Sequence, residues 1–190
     1  MRLRRNTRGY TLLEMLIAVL LTGVLAASGF EFYQTMHGQT ITQEQISYMQ
    51  QSCRASLEEI TKTLRMAGYK AGSHPAYRIA GDSLWVFYSE SQPIDTILYY
   101  LEQYSSADLG AAYATYGCNV PYKLMKRFDS EQPAVFADYV RSISYVALNT
   151  STIQVSLRVQ TSLPDDTYLP DNGFRTLVGI EQVILRNVAL

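Results

Sequence analysis

The strongest hydrophobic pattern in the chain is an apolar run over residues 11–30, twenty residues that contain one charged side chain, Glu14. Folded as an α-helix with a rise of about 1.5 Å per residue, this run spans about 30 Å, the thickness of the hydrocarbon core of a bilayer. Four arginines crowd the start of the chain: Arg2, Arg4, Arg5 and Arg8. Because positive charge favours the cytoplasmic side, the pattern predicts a transmembrane helix over residues 10–30 with the rest of the chain across the membrane.

A second helical pattern follows, and no proline occurs before Pro75. Apolar residues recur at intervals of three, four, four, three and four positions, which places them on one face of an α-helix. These residues are Ile46, Met49, Cys53, Leu57, Ile60 and Leu64. The spacing predicts an amphipathic continuation of the helix over residues 31–67, whose apolar face needs a partner. A coiled-coil stalk is the alternative, but the pattern soon gives way to strands.

From Gly68 onward, short stretches rich in β-branched and aromatic residues alternate with turn signals. Strands are predicted over residues 77–80, 84–88, 96–101, 122–128, 140–148, 153–161 and 175–187. The small-residue stretch 107–119 is predicted to be a loop. Strands that follow one another without long helices favour antiparallel pairing. The sequence therefore predicts an α+β fold, in which residues 68–190 form an antiparallel sheet packed on the apolar face of the second half of the helix.

The acid inside the apolar run needs a physical reason. An unpaired acid in a membrane-inserted helix costs a few kcal/mol, and such residues usually mark function. If the chain is cut after Gly9, a new amine forms on Tyr10, and Glu14 lies about 6 Å from it along the helix. A neighbouring helix shifted along its axis could present its own amine to this carboxylate, which would offset the desolvation. We therefore interpret Glu14 as a docking and register residue for lateral assembly.

A secretory signal peptide is the alternative interpretation of the same segment. Residues 26–28, Ala-Ala-Ser, could serve as its cleavage site. The apolar run is longer than the usual apolar region of a signal peptide, and the acid at position 14 also argues against this alternative.

The segment RGYTLLEMLIAVLL resembles the prepilin-type leader of type IV pilins and of type II secretion pseudopilins. The shared features are the basic start, Gly9, an aromatic Tyr10 where the family usually has Phe, and Glu14 at the fifth mature position. The resemblance implies a leader over residues 1–9, cleavage after Gly9 by a prepilin peptidase, and N-methylation of Tyr10. It also implies a pilin-like arrangement of the α+β fold.

Two shorter fragments, LRMAGYKAG (residues 64–72) and VILRNVAL (residues 183–190), resemble PilW-type minor pilins, which are similar in turn to J-type minor pseudopilins of type II secretion. Many major pilins carry a proline in the middle of the long helix, and this chain does not. The resemblance implies a minor type IV pilin that helps to initiate or cap a pilus used in adhesion, twitching motility or DNA uptake. A minor pseudopilin is the first alternative, and a tip adhesin module is the second.

The implied partners are other major and minor pilins or pseudopilins, the prepilin peptidase, an inner-membrane assembly platform and membrane lipid. The implied location is the bacterial inner membrane, with a periplasmic head, and then the pilus or pseudopilus. The formal net charge is -1, so the overall charge gives no reason to expect nucleic-acid binding. The chain has two histidines and carries no HExxH, CxxC or GxSxG motif. We therefore expect neither an enzyme nor a cofactor.

Two side-chain groups remain as candidates for structural chemistry. Cys53 and Cys118 would lie outside the cytoplasm, where disulfides persist, and we expect a structural bridge, with two buried free thiols as the alternative. Hard oxygen ligands crowd one loop in the second half of the chain: Asp165, Asp166, Asp171 and Asn172. Some pseudopilins bind calcium near this region, but the spacing does not match an EF-hand, and a solvated turn is the favoured interpretation.

Overall fold

The computed structural model describes residues 10–89, 94–165 and 167–187, apart from the side chains of Ala112 and Cys118. The chain divides into two compact units, Met1–Gln43 and Glu44–Leu190. The described part of the first unit is helical and exposed along nearly its whole length. The second unit contains the C-terminal part of the helix and the sheet, and is called the head below.

The long helix, α1, is Leu12–Met66. Its apolar face in the head is the one predicted from the 3.6-residue period: Met49, Cys53, Leu57, Ile60 and Leu64 are all buried. The helix ends where Gly68 adopts a φ of +78°, a conformation that only glycine takes at little cost. The N–H of Gly68 donates a 2.8 Å hydrogen bond to the carbonyl of Phe87, which ties the helix end to the sheet.

Seven antiparallel strands follow in one sheet, and their spatial order is their order along the chain. Their bounds are β1 Tyr77–Ala80, β2 Ser83–Tyr88, β3 Asp95–Gln103, β4 Tyr122–Phe128, β5 Ala134–Ala147, β6 Thr152–Gln160 and β7 Thr176–Ile184. This confirms the predicted pilin-like α+β fold, with a long N-terminal helix followed by an antiparallel sheet.

The main core lies between the helix and one face of the sheet. Alternate residues of β2 and β6 point into it, and Leu84, Val86, Ile153, Val155 and Leu157 are all fully buried. Burial of each such side chain contributes about 1.5–3 kcal/mol, so the sheet is what stabilises the amphipathic half of the helix. A hydrogen bond between neutral groups contributes about 0.5–1.5 kcal/mol net.

Polar contacts fix the helix against the sheet at two places. The Thr63 hydroxyl and the Tyr99 hydroxyl lie 2.9 Å apart in the buried core. The Lys126 ammonium donates a 2.7 Å hydrogen bond to the Glu59 carboxylate. This bond lowers the pKa of Glu59.

The helix and the sheet approach each other closely at Gly179 on β7. A Cβ atom built there would lie 2.5 Å from Leu57 Cδ1 and 2.7 Å from Cys53 Sγ. Both distances are shorter than any stable carbon contact, so glycine is what lets the helix lie this close to the strand.

The stretch 107–119, predicted as a loop, folds instead into short helical turns. They are α2 Ser106–Leu109 and α3 Tyr113–Tyr116, with 3-10 turns at Gly110–Ala112 and Gly117–Asn119. The first of these begins with a capping box, in which the Ser105 hydroxyl accepts from the Asp108 N–H and the Asp108 carboxylate accepts from the Ser105 N–H. The prediction was wrong because it treated small residues as loop formers and overlooked this Ser-x-x-Asp pattern.

These turns cover a second, smaller core of Tyr104, Tyr116, Val120 and Phe174. The rings of Tyr116 and Phe174 stack with centroids 4.9 Å apart. The Tyr104 hydroxyl donates a short hydrogen bond to the carboxylate of Asp138. Burial raises the pKa of Tyr116 to about 12, and its hydroxyl donates to the carbonyl of Ser162. The stacked Tyr116–Phe174 pair therefore joins the β3–β4 connection to the loop that precedes β7.

Candidate assembly site at the helix N-terminus

Thr11 begins the long helix. The Glu14 N–H donates a 3.2 Å hydrogen bond to the Thr11 hydroxyl oxygen, and the Met15 N–H donates one of 3.2 Å to the Thr11 carbonyl. Thr11 is therefore the N-cap, and Glu14 occupies the third helical position. The sequence TLLE is the Ser/Thr-x-x-Glu pattern of a capping box. Sequence reasoning missed Thr11, although this pattern would have identified it.

The same geometry puts the Glu14 carboxylate on the first turn, where the positive end of the helix dipole stabilises an anion. That interaction contributes about 0.3–1 kcal/mol at an exposed site and about 2 kcal/mol in a favourable one. Glu14 lies on the first turn of the helix, so the cost of about 2.5–3.5 kcal/mol for an acid at the centre of a membrane helix is an upper bound for this residue. Glu14 is exposed in the described chain. Pairing with an amine of a neighbouring subunit stays a prediction.

The surface around this turn is apolar and uncovered. Leu12 is 82% exposed, Val19 71% and Leu25 73%. Ten Leu, Ile, Val or Phe residues lie in the run from 11 to 30, and each favours insertion by about 0.3–0.6 kcal/mol, so together they outweigh one acid. Among the described residues, α1 is the one helix long and apolar enough to cross a membrane.

Two hydroxyl groups of the apolar run, those of Thr22 and Ser28, find partners within the helix. Thr22 donates a 2.8 Å hydrogen bond to the carbonyl of Ala18, and Ser28 donates one of 3.0 Å to the carbonyl of Val24. A hydroxyl bonded in this way leaves no unsatisfied donor in hydrocarbon. These polar residues therefore do not oppose membrane insertion.

The processing residues are divided between the described and undescribed parts of the chain. Gly9 lies outside the described residues, as does the rest of the predicted leader. Tyr10 is the first described residue, and its side chain is 80% exposed. Cleavage after Gly9 and methylation of Tyr10 both stay predictions.

Cys53 is buried and packs against Gly179. Burial raises its pKa, and a hydrogen bond with the backbone of Gly179 opposes that shift. The backbone of Cys118 lies in the 3-10 turn Gly117–Asn119, but its side chain is outside the described part of the chain. The disulfide between these cysteines stays a prediction.

The acidic loop before β7 is held together by internal contacts. One oxygen of Asp165 accepts hydrogen bonds from the N–H and hydroxyl of Thr167, and the other accepts 2.8 and 2.7 Å contacts from Arg175. The Thr167 hydrogen bonds, together with Arg175, lower the pKa of Asp165 to about 2. Asp171 faces Arg158 at 3.7 Å.

These acids do not converge on a common point. Among the described residues, no three His, Cys, Asp or Glu side chains form a group that could hold a metal ion. Asp166 lies outside the described residues, and Asn172 adopts a left-handed φ of +55° in the turn. Thr167 and Arg175 donate hydrogen bonds to the two carboxylate oxygens of Asp165, which are the oxygens that a calcium ion would need.

The N-terminal part of the chain matches a known family model. Residues 4–30 match the family model described as the prokaryotic N-terminal methylation motif. Comparison with curated proteins and with solved structures gave no significant match. The matched residues include three of the four N-terminal arginines, Gly9, the N-cap Thr11 and Glu14.

The motif and the architecture define a class of protein. A prepilin-type N-terminus on a long apolar helix, followed by an antiparallel sheet, supports a type IV pilin-like protein. The motif implies processing by a prepilin peptidase and assembly with other pilins, and the apolar helix is consistent with a single-helix membrane anchor. Type IV pilins and pseudopilins share these features.

Proposed function

We propose that the protein is a minor type IV pilin, a structural subunit that helps to initiate or cap pilus assembly. The observation that carries the proposal is the matched N-terminal motif, in which Glu14 lies on the capped first turn of an apolar helical run whose side chains are exposed. Such a helix is suited to lateral packing in a filament. We propose that the role is structural and not enzymatic, with the head on the periplasmic side before assembly.

Two further observations favour a minor subunit. The helix runs from Leu12 to Met66 without the central proline that many major pilins carry. The two fragments that resemble PilW-type minor pilins also meet in the head: a Cβ on Gly68 would lie 2.4 Å from the carbonyl oxygen of Asn187. The two fragments are distant in sequence, but Gly68 of the first and Asn187 of the second are in contact at the end of the helix.

Two substitutions in the full chain test docking and maturation separately. Glu14→Ala is expected to mature normally but to enter filaments poorly, because no carboxylate would remain to pair with the neighbouring amine. A bulky residue in place of Gly9 is expected to block maturation. Mass spectrometry of the mature N-terminus separates the two effects, and cleavage after Gly9 with a methyl group on Tyr10 is the expected wild-type result. Normal filament incorporation of Glu14→Ala would contradict the docking role.

The minor pseudopilin of a type II secretion system is the alternative within the same class. Deletion of the gene distinguishes the two. Loss of surface filaments with secretion of exoproteins intact supports the minor pilin, and the reverse result supports the pseudopilin. A mature protein that begins downstream of Phe30 would contradict both, because the anchor would have been removed as a signal peptide.

A further inference from the structure

The two edges of the sheet differ in how they are protected. Strand β1 is four residues long, and the Arg78 guanidinium lies over the Trp85 ring at 5.4 Å. Strand β7, at the other edge, is nine residues long, TLVGIEQVI, with Glu181 as its one charge and no proline or lysine. Natural proteins usually protect edge strands by shortening them or by placing charges and prolines there. Strand β7 has little of this protection.

The backbone register shows which groups of β7 face the open edge. The Leu185 N–H donates to the Ser151 carbonyl at 2.7 Å, and the Thr161 N–H donates to the Arg175 carbonyl at 2.9 Å. Both contacts fit the register of β6 and β7, so the odd-numbered residues of β7 bond to β6. The even-numbered residues, among them Val178, Ile180 and Gln182, therefore direct their N–H and carbonyl groups outward. In the described chain no strand pairs with this side.

A groove of about 750 Å³ runs between this edge and the flank of the helix. Its charged lining comprises Arg54, Glu58, Lys62 and Arg65 from the helix, with Glu181 and Arg186 from the strand side. Four cations thus face two carboxylates. Within the described residues none of the six lies in an ion pair. The groove has an excess of positive charge that favours an acidic occupant.

The opposite face of the edge strand is mainly apolar, with Gln182 as a polar residue between Ile180 and Ile184. Val178 is 50% exposed, Ile180 58% and Ile184 68%. Side chains of a strand alternate between the two faces of a sheet. A strand added beside β7 would therefore place every second side chain in the cationic groove and the others beside this apolar stripe.

We propose that β7 accepts an extended, acidic segment of a partner protein as an eighth strand. Backbone hydrogen bonds to Val178, Ile180 and Gln182 would supply affinity, and the alternation of acidic and apolar side chains would supply specificity. A second copy of this chain fits less well, because its β7 would bring one acid and a second cationic groove. This surface lies wholly in the head, so the proposal goes beyond the filament role and its failure would leave that role standing.

The probe is a fluorescein-labelled, end-capped peptide of alternating valine and glutamate, Val-Glu-Val-Glu-Val-Glu-Val, titrated against the full chain in detergent and followed by anisotropy. The control peptide carries lysine in place of glutamate. Ile180→Pro removes one outward N–H without removing a bond to β6, and Ile180→Ala is the matched variant that keeps it. We expect saturable binding of the glutamate peptide, about tenfold weaker with Ile180→Pro and little changed with Ile180→Ala.

A second variant tests the groove without altering the strand. The double substitution Arg54→Glu and Lys62→Glu changes two exposed side chains and converts the excess of positive charge into an excess of negative charge. It is expected to reverse the preference, so that the lysine peptide binds more tightly. Absence of binding by the wild-type chain, equal binding of both peptides, or binding unchanged by Ile180→Pro overturns the proposal. So does self-association of the full chain that Ile180→Pro abolishes, since the occupant would then be a second copy.

Discussion

Replacement of Gly179 by alanine tests whether the close packing of helix and sheet depends on one missing side chain. The new Cβ would lie 2.5 Å from Leu57 Cδ1 and 2.7 Å from Cys53 Sγ, whereas nonbonded carbon atoms rest at about 3.5–4.0 Å. Leu57 is 6% exposed and Cys53 is 2% exposed, so neither side chain can swing into solvent. The helix must therefore move away from β7, or both side chains must leave their preferred rotamers.

The expected cost follows from two opposing effects. Overpacking of a core by one methyl group costs about 1–3 kcal/mol. Gly179 has an ordinary negative or extended φ, so alanine is compatible with the backbone and restricts the unfolded chain, which returns about 0.4–1 kcal/mol. The net loss of unfolding free energy should be about 1–2 kcal/mol. For a unit of this size, that lowers the melting temperature by about 2–8 °C.

A second substitution shows where the loss arises. Cys53→Ala removes the sulfur that the new methyl group would meet, and alone it should cost about 1 kcal/mol through the volume lost from the core. In the double variant the alanine methyl fills part of that volume. We expect the double variant to be more stable than the sum of the two single effects by about 1 kcal/mol.

The assay is urea and thermal unfolding of the full chain in detergent, followed by the fluorescence of Trp85, the single tryptophan. The control is Gly38→Ala, at a helical glycine whose added Cβ would meet nothing within 4 Å. That variant should leave the unfolding of the head unchanged. If Gly179→Ala is as stable as the wild type, or if Cys53→Ala gives no relief, the close approach is not what requires glycine at this position.

Three further predictions concern single contacts. Gly68→Ala should destabilise the head by about 2–4 kcal/mol, because it combines a left-handed backbone with a clash against the carbonyl of Asn187. The control is Gly72→Ala, at a φ of +62° with open space around the added Cβ, which should cost only about 1–2 kcal/mol in the same unfolding assay. Asp165→Asn should lower stability at neutral pH: the folded-state pKa of about 2 lies below the unfolded value of 3.8, so the carboxylate stabilises the fold above pH 3.8 and this contribution disappears as the pH falls toward 2. Urea titrations at several pH values would contradict this if the gap between wild type and Asp165→Asn persisted at pH 2. Thr11→Ala should remove the helix cap, at about 1 kcal/mol, and accelerate amide exchange at Glu14 and Met15 about fivefold in micelles, while Thr11→Ser should not.

Periodicity along the chain was sufficient to predict the main elements. The spacing from Met49 to Leu64 identified the buried face of the helix because one face of an α-helix returns every three or four residues whatever it packs against. Alternation and turn residues identified the seven strands, because successive side chains of a strand point to opposite faces of the sheet. The assembly motif was also readable, because its chemistry is local: a basic start, Gly9 and Glu14 lie within a few residues of one another. Thr11 was readable too, but its capping pattern was not used.

Other features arise only when distant segments meet. Gly179 resembles any glycine in a strand until the helix is placed 2.5 Å from its missing side chain. The smaller core joins Tyr116 to Phe174 across fifty-eight positions of sequence. The open edge of β7 exists because the strand order ends there, and the cationic groove exists because the fold brings Arg54 and Arg186 to the lining of one groove. Local patterns fixed which residues form helix and strand, since those choices depend on neighbours along the chain; packing and edge exposure depend on neighbours in space, which only the tertiary structure supplies.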